Sequence, residues 1–270
     1  MAILVPAREH AALEPLARAE TPSPVIDLRQ VSARFGGHVA VDAISTSVGP
    51  GALVALVGPN GAGKTTLLKM LAREARPSSG QISVSAPRSR VAYMPQGVRA
   101  SRDAPMTVAG LVSGGLWARV GLFGGVSRTA WRDVHIALQA VGLAAMADTS
   151  VNTLSGGQLQ RALFARAIVQ DANVILLDEP FSAVDAATVE DLMAVLCGWI
   201  AQGRTVIAAM HDLELVRRHF PRTILIARRV IADGDTAAVL SEAHLQLARA
   251  SLDAPSADSL CIHPHEHAHA

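Results

Sequence analysis

Short runs of consecutive apolar residues alternate along the chain with segments in which apolar residues recur at helical spacing. The clearest apolar runs cover residues 52–57, 174–178, 205–209 and 223–227. Strands that are apolar throughout, with helices between them, are typical of a mostly parallel sheet that is covered on both faces. The pattern therefore predicts an α/β fold built around such a sheet.

The pattern near the N-terminus differs, because apolar and polar residues alternate there. Residues 25–31 and 38–44 lie on either side of a Gly36-Gly37 turn, which predicts two strands. Two further short strands are predicted at residues 81–84 and 91–94. We therefore expect an antiparallel β part near the N-terminus, beside the mostly parallel sheet.

Helical spacing predicts several helices and, with them, the division of the chain. The helices are expected at residues 66–72, 106–117, 128–141, 156–170, 186–200 and 212–218. Those between about residues 100 and 171 predict an inserted α-helical subdomain. Four prolines within residues 1–24 predict a disordered extension. The main domain is then expected at residues 25–240, and a C-terminal helix with a His-rich tail at residues 241–270.

Composition excludes some classes of function. The chain has 270 residues, half of them apolar, which is enough for a large core. Its net charge of +1, its two lysines and its 3% aromatic content argue against a nucleic-acid surface. Two cysteines provide no disulfide framework, and we find neither a signal peptide nor about 20 consecutive apolar residues to span a bilayer. We therefore expect a cytosolic protein whose membrane role depends on a partner.

A glycine-rich loop follows the apolar run at residues 52–57 and precedes a predicted helix. It satisfies the pattern G-x-x-x-x-G-K-[ST], and its residues are Gly58, Pro59, Asn60, Gly61, Ala62, Gly63, Lys64, Thr65 and Thr66. Backbone N–H groups of such a loop and the helix N-terminus attract phosphate oxygens. The lysine reaches the β- and γ-phosphates, and the threonine hydroxyl after it binds Mg²⁺. The loop therefore predicts a nucleotide-phosphate site.

A second helix start has the same chemistry. Ser155 is placed as the N-cap of the helix predicted at residues 156–170, and Gly156, Gly157 and Gln158 follow it. One nucleotide does not need two such sites in the same subunit. We therefore expect this helix start to serve the nucleotide of a neighbouring subunit; on its own, it would be read as a capped helix after a turn.

Further polar residues follow the predicted parallel strands. Asp178 ends the strand at residues 174–178, where it can hold Mg²⁺, and Glu179 beside it can polarise an attacking water. His211 follows the strand at residues 205–209, at the sheet edge where α/β folds bind ligands. Gln96 offers an uncharged oxygen to Mg²⁺ or water. Each of these residues alone would be unremarkable on a protein surface, and it is their combination that predicts a site.

Together, these motifs resemble the nucleotide-binding subunit of ABC transporters over residues 25–240. The resemblance implies a P-loop NTPase core, ATP and Mg²⁺ as cofactors, and a head-to-tail homodimer that sandwiches two ATP molecules. It implies that Glu179 acts on water, that His211 contacts the γ-phosphate, and that Thr65, Gln96 and Asp178 hold Mg²⁺. It further implies that Asp185 links the two sites and that Phe35 stacks on adenine, although Phe35 could instead be a core residue.

The resemblance also implies partners and a cargo. A membrane permease is expected to bind the helical insert at the cytoplasmic face of the inner membrane, with an external solute-binding protein as an indirect partner and no nucleic acid. Residues 116–127 and 178–185 are similar to ATPase subunits of bacterial zinc and manganese importers, which favours zinc. Manganese, iron chelate and haem remain alternatives. A soluble ABC ATPase acting on ribosomes or DNA is a further one, and intact motifs argue against a metal-binding regulator with a vestigial ATPase.

The C-terminus carries a separate metal-binding pattern. Its candidate ligands for a transition metal are Cys261, His263, His265, His267 and His269. A solvated tail or a remnant of cloning is the alternative interpretation.

Overall fold

The computed structural model describes residues 23–96, 106–117, 127–182 and 184–253. The strands are β1 (Ile26–Phe35), β2 (His38–Val48), β3 (Leu53–Val57), β4 (Ser79–Val84), β5 (Val91–Met94), β6 (Val174–Asp178), β7 (Thr205–Met210), β8 (Arg222–Ala227) and β9 (Arg229–Asp235). The helices are α1 (Lys64–Leu71), α2 (Val108–Ser113), α3 (Arg128–Ala140), α4 (Gly156–Gln170), α5 (Ala186–Ala201), α6 (Leu213–His219), α7 (Thr236–Val239) and α8 (Glu242–Asp253).

The larger sheet has the strand order β5-β6-β7-β3-β8-β9, and its first five strands are parallel. Every residue of β3, β6 and β7 is buried, in agreement with their mostly apolar sequences. Parallel strands end at the same sheet edge, so the loops after β3, β5, β6 and β7 meet there. These loops carry the predicted site residues, and the fold therefore gathers them at one edge.

The smaller sheet is antiparallel, with the order β2-β1-β4. Strands β1 and β2 are longer than the alternation of apolar and polar residues in the sequence predicts. Gln30 and Ala43 have positive φ angles of 50° and 49°, and the pairing of β1 with β2 changes register between Leu28 and Val31. Such bulges shift the side-chain alternation, which explains why the sequence pattern ends early. The expected antiparallel part and mostly parallel sheet are both confirmed.

Strand β9 was not predicted. It pairs antiparallel with β8 at the edge of the larger sheet, and its residues are only partly buried or exposed. An edge strand with one neighbour buries too little to need an apolar sequence. Its position therefore comes from pairing with β8 rather than from a local signal.

Helices α2, α3 and α4 pack on one another and form the predicted helical insert. The predicted helix at residues 106–117 is shorter in the structure, because α2 ends at Ser113 and a 3₁₀ turn, Gly114–Leu116, follows. At Gly115, a Cβ atom would lie 2.3 Å from the Arg166 carbonyl oxygen of α4. The glycine therefore allows the turn to approach the neighbouring helix closely.

Helix α8 lies near the end of the described chain and packs Ala248, which is 1% exposed, onto the main core. Residues 1–22 of the extension predicted at residues 1–24, and residues 254–270 of the predicted C-terminal region, lie outside the described residues. The predicted domain limits therefore remain predictions.

No helix within the described ranges is both long enough and apolar enough to cross a membrane.

Candidate nucleotide site

The glycine-rich loop joins the buried strand β3 to helix α1, as predicted. Gly61 and Gly63 have φ angles of 80° and 96°, which favour glycine. A Cβ atom on Gly63 would lie 2.4 Å from the Ala40 carbonyl oxygen, and one on Gly58 would lie 2.2 Å from the Ile226 carbonyl oxygen. The loop is therefore held between β2 and β8 by approaches that only glycine permits.

Lys64 opens α1 and is 8% exposed. Its Nζ atom donates hydrogen bonds to the carbonyl oxygens of Gly58 at 2.6 Å and Pro59 at 3.2 Å. Burial lowers the pKa of its ammonium group, while the charges of Glu179 and Asp178 oppose that shift. The loop thus holds a buried cation within the field of two carboxylates.

Asp178 ends β6 and is 1% exposed. Burial raises the pKa of its carboxyl group, a hydrogen bond from Thr65 lowers it, and the charge of Glu179 raises it further. The Tyr93 hydroxyl donates a long hydrogen bond of 3.4 Å to Oδ2. Oδ1 is buried and has no hydrogen-bond partner among the described residues. A buried carboxylate oxygen without a partner is costly unless a ligand satisfies it.

Tyr93 is a site residue that sequence reasoning missed. Burial and the charge of Asp178 raise the pKa of its hydroxyl well above the ordinary value. Its contact with Asp178 depends on the pairing of β5 with β6, in which Tyr93 lies opposite Leu176. The sequence contains no local signal for this pairing, although Tyr93 is the chain's single tyrosine.

Glu179 follows Asp178 and has a left-handed backbone conformation, with φ of 50°. Its N–H group donates to the Ala209 carbonyl oxygen at 3.1 Å, and its Oε2 accepts a hydrogen bond from Gln96 Nε2 at 2.6 Å. A left-handed conformation costs a residue other than glycine about 1–2 kcal/mol. Backbone strain of this kind is common at functional sites.

An open cleft of about 470 Å³ lies beside the phosphate loop. Its lining includes Asn60, Lys64, Thr65, Gln96 and Glu179. A cation, a hydroxyl group, a carboxylate and a helix N-terminus thus face one space large enough for phosphate groups.

His211 lies beside this cleft, directly after β7, and is exposed. It lines a cavity of about 280 Å³ together with Glu179, and a second one together with Gly58 and Asn60. Asp212 is separate from it, since its Oδ1 caps α6 by accepting from the N–H groups of Glu214 and Leu215 at 2.9 and 3.1 Å. His211 therefore lies between the phosphate loop and Glu179, while its neighbour is structural.

The second helix start is built as the sequence predicts. Ser155 caps α4 by accepting from the Gln158 N–H group at 3.2 Å, and Gln158 Oε1 accepts from the Ser155 N–H group at 2.9 Å. Gly156 is exposed and Gly157 is partly so. Among the described residues that line the cleft around Lys64, none belongs to residues 155–158. Within one subunit, this helix start is separate from the phosphate loop.

Two further predicted residues have well-defined surroundings. Asp185 caps α5 by accepting from the Thr188 N–H group at 3.0 Å and from its hydroxyl at 2.8 Å, and these bonds lower its pKa. Phe35 lies at the end of β1 beside the Gly36-Gly37 turn and is 54% exposed. Its alternative role as a core residue is therefore wrong. The candidate tail ligands Cys261 to His269 lie outside the described residues.

A glycine-rich phosphate loop after the buried parallel strand β3, with paired carboxylates at the end of β6 two strands away in the same sheet, defines a P-loop NTPase. Residues 41–182 match the family described as ABC transporter. A metal transport system ATP-binding protein of Chlamydia pneumoniae is 42% identical over 72% of this chain and 76% of that protein. The zinc transport system ATP-binding protein TroB of Treponema pallidum is 38% identical over 76% and 79%. The manganese transport system ATP-binding protein MntB of Bacillus subtilis is 34% identical over 82% and 90%.

A solved structure agrees with these relatives. A metal-chelate type ABC transporter in an inward-facing conformation matches with a TM-score of 0.75 and 25% identity, over 84% of this chain and 90% of that one. The chain therefore belongs to the ATP-binding proteins of the ABC transporter family. It binds ATP and is an ATPase coupled to transport.

Proposed function

We propose that this chain is the ATP-hydrolysing subunit of a bacterial importer for a divalent metal, and that the metal is zinc. The observation that carries the proposal is the similarity, over most of its length, to relatives named for metal transport. One of them is named for zinc. The cargo itself is selected by other subunits of a transporter, so the ATPase site supports the energy-coupling role and the relatives support the metal.

Within one subunit, we assign the contacts to ATP as follows. The exposed ring of Phe35 stacks on adenine, and residues 58–66 bind the phosphates. Lys64 neutralises charge on the β- and γ-phosphates, and His211 contacts the γ-phosphate from the far side of the cleft. Glu179 accepts the proton of the attacking water, a role supported by its strained backbone and by its place beside the phosphate loop.

The residues present fit Mg²⁺ as the cofactor. Asp178 Oδ1 is a buried carboxylate oxygen with no partner among the described residues, and the Thr65 hydroxyl lies beside that carboxylate. Gln96 donates to Glu179 through its amide nitrogen, so its carbonyl oxygen is the atom available to a cation. Hard oxygen ligands of this kind suit Mg²⁺. When bound, Mg²⁺ would neutralise charge on the phosphates, and Asp178, Thr65 and Gln96 would hold it.

The proposed assembly is a head-to-tail homodimer. Ser155, Gly156, Gly157 and Gln158 would bind the γ-phosphate of the ATP that the neighbouring subunit holds. This is supported by their exposed or partly exposed position at the start of α4 and by their separation from the cleft of their own subunit. Asp185 would link the two sites across the interface. Because each site needs both subunits, closure of the dimer becomes the regulated step.

The partners follow from this assignment. The helical insert at about residues 100–171 would receive a membrane permease at the cytoplasmic face of the inner membrane, with an external solute-binding protein as an indirect partner. Exposed Trp117 and Met106, which are 67% and 36% accessible, support such a contact. We further propose that the ATPase domain spans residues 25–240. We also propose that the protein has no nucleic-acid partner.

Zinc uptake tests the cargo. Deletion of this chain in its source bacterium is expected to lower cellular zinc under zinc starvation, measured by elemental analysis. The wild-type chain should restore the zinc content, whereas Glu179→Gln should not, because binding without hydrolysis cannot drive repeated transport. An unchanged zinc content in the deletion strain would contradict the zinc assignment.

Manganese is the second candidate, because one of the relatives is named for it. The same strains measured for manganese under manganese starvation separate the two metals. A manganese deficit with normal zinc would transfer the assignment to manganese and leave the ATPase role intact.

A further inference from the structure

Two side chains of helix α4 contact the segment that follows Glu179. Gln160 Nε2 donates a hydrogen bond to the Pro180 carbonyl oxygen at 2.6 Å. One turn further along the helix, the ring of Phe164 stacks on Phe181, with centroids 6.1 Å apart and planes 26° from parallel. The helix that begins at the proposed binding site for the neighbour's ATP is therefore attached directly behind the catalytic carboxylate of its own subunit.

Helix α4 also carries Arg161, whose positive charge acts on Asp185 a few residues further along the chain. Hydrogen bonds from Thr188 are the largest cause of the lowered pKa of Asp185, and the charge of Arg161 also lowers it. Arg161 directly follows Gln160 in α4. Helix α4 therefore contacts Pro180 and Phe181 directly, and it acts on Asp185 through the charge of Arg161.

The backbone around Glu179 gives the Gln160 contact its importance. Glu179 has a φ angle of 50°, and its carbonyl oxygen accepts from the Ser182 N–H group at 3.2 Å in a tight turn. Pro180 lies inside this turn and has no N–H group, so its carbonyl oxygen is its one backbone hydrogen-bonding atom. Gln160 bonds that atom. A side chain of α4 thus fixes the Pro180–Phe181 peptide group, one residue after the strained catalytic residue Glu179.

We propose that Gln160 is a positioning residue, which holds Glu179 through the Pro180 carbonyl and transmits to it the engagement of the α4 N-terminus by the neighbour's ATP. Gln160 lies five residues after Ser155, about 7.5 Å along the helix axis at 1.5 Å per residue. Because α4 is a packed, hydrogen-bonded helix, a shift at its start moves Gln160 with it. The proposal rests on the proposed sandwich dimer and adds a route between the two ATP sites within one subunit.

The test is Gln160→Met, which keeps the size of the side chain and removes its donor. We expect kcat for ATP hydrolysis to fall by about 10-fold, because a small displacement of a catalytic group has effects of this order or larger. The KM for ATP should change by less than about two-fold, since Gln160 contributes no contact to ATP. Gln160→Glu, which places a carboxylate against the carbonyl oxygen, provides a second variant with at least the same expected loss.

The chain offers a matched control. Gln170 lies on the same helix, and its Nε2 also donates to a backbone carbonyl oxygen, that of Val91 at 3.1 Å. Gln170→Met removes the same kind of bond far from Glu179, so it should lower the thermal midpoint about as much as Gln160→Met. Its kcat should stay within about two-fold of wild type, as expected for a distant site.

Dimerisation separates this inference from the proposed function. ATP should convert Glu179→Gln to a dimer with and without Gln160→Met, because the added change leaves the binding surfaces intact. Wild-type kcat in Gln160→Met, or an equal loss in Gln170→Met, would overturn the role of Gln160 and leave the dimer standing. Failure of Glu179→Gln itself to dimerise would overturn both.

Discussion

Replacing Glu179 with glutamine is expected to lower the rate of ATP hydrolysis by about 10²- to 10⁴-fold, the range that a positioned general base contributes. Glutamine has the same shape and keeps an oxygen for the hydrogen bond that Gln96 Nε2 donates. It cannot accept the proton of the attacking water at neutral pH. ATP affinity should therefore be retained while turnover is lost. Phosphate release and nucleotide titration, measured on the same preparation, check both parts.

Glu190 provides the control for this variant. It lines the cavity shared by Glu179 and His211, but its Oε1 is paired with Arg218 Nη1 at 3.1 Å. Glu190→Gln removes a nearby negative charge without touching the proposed base, so hydrolysis should remain close to wild type. Equal losses in the two variants would mean that the charge of this region, rather than a base at Glu179, supports hydrolysis.

Replacing Lys64 with alanine is expected to weaken ATP binding by about 10- to 100-fold, since hydrogen bonds to charged groups contribute about 1.5–3 kcal/mol each. The ammonium group is already positioned on the carbonyl oxygens of Gly58 and Pro59, so its loss removes an organised cation from the loop. Titration with a fluorescent ATP analogue measures the effect.

The chain's other lysine is a matched control. Lys69 lies on the same helix, and it is exposed. Lys69→Ala removes an equal charge at a greater distance from the loop and should leave affinity nearly unchanged. If both variants lost affinity alike, the contribution of Lys64 would be a general effect of charge instead of a contact with phosphate.

The sequence predicts the parts of this protein that depend on local signals. The apolar runs place β3, β6 and β7, because parallel strands buried on both faces are apolar at nearly every position. The end of each such strand places the phosphate loop, Asp178 and His211 at one edge of the sheet. The phosphate loop and the helix start at Ser155 are also local, since a glycine pattern and an N-cap can be read directly.

The remaining features depend on contacts between distant segments. Strand β9 forms by pairing with β8 at the edge of the larger sheet. The turn after α2 depends on the close approach of Gly115 to α4. The bond between Gln160 and Pro180 joins residues 20 positions apart, which no periodicity signals. The left-handed conformation of Glu179 is likewise set by its surroundings. The sequence alone therefore predicts neither these parts of the fold nor the contacts that position Glu179.

The central claim is that each ATP site is formed by two subunits. It is tested most directly by the molecular mass of the Glu179→Gln variant in saturating ATP, measured by light scattering. The account predicts twice the monomer mass of 28.2 kDa. Adding Gly156→Asp should return the protein to the monomer mass with ATP still bound, because a carboxylate there repels the neighbour's γ-phosphate. The substitution should not unfold α4, since an acidic residue in the first turn favours a helix. Glu179→Gln that remains a monomer, or a double variant that still dimerises, would contradict the account.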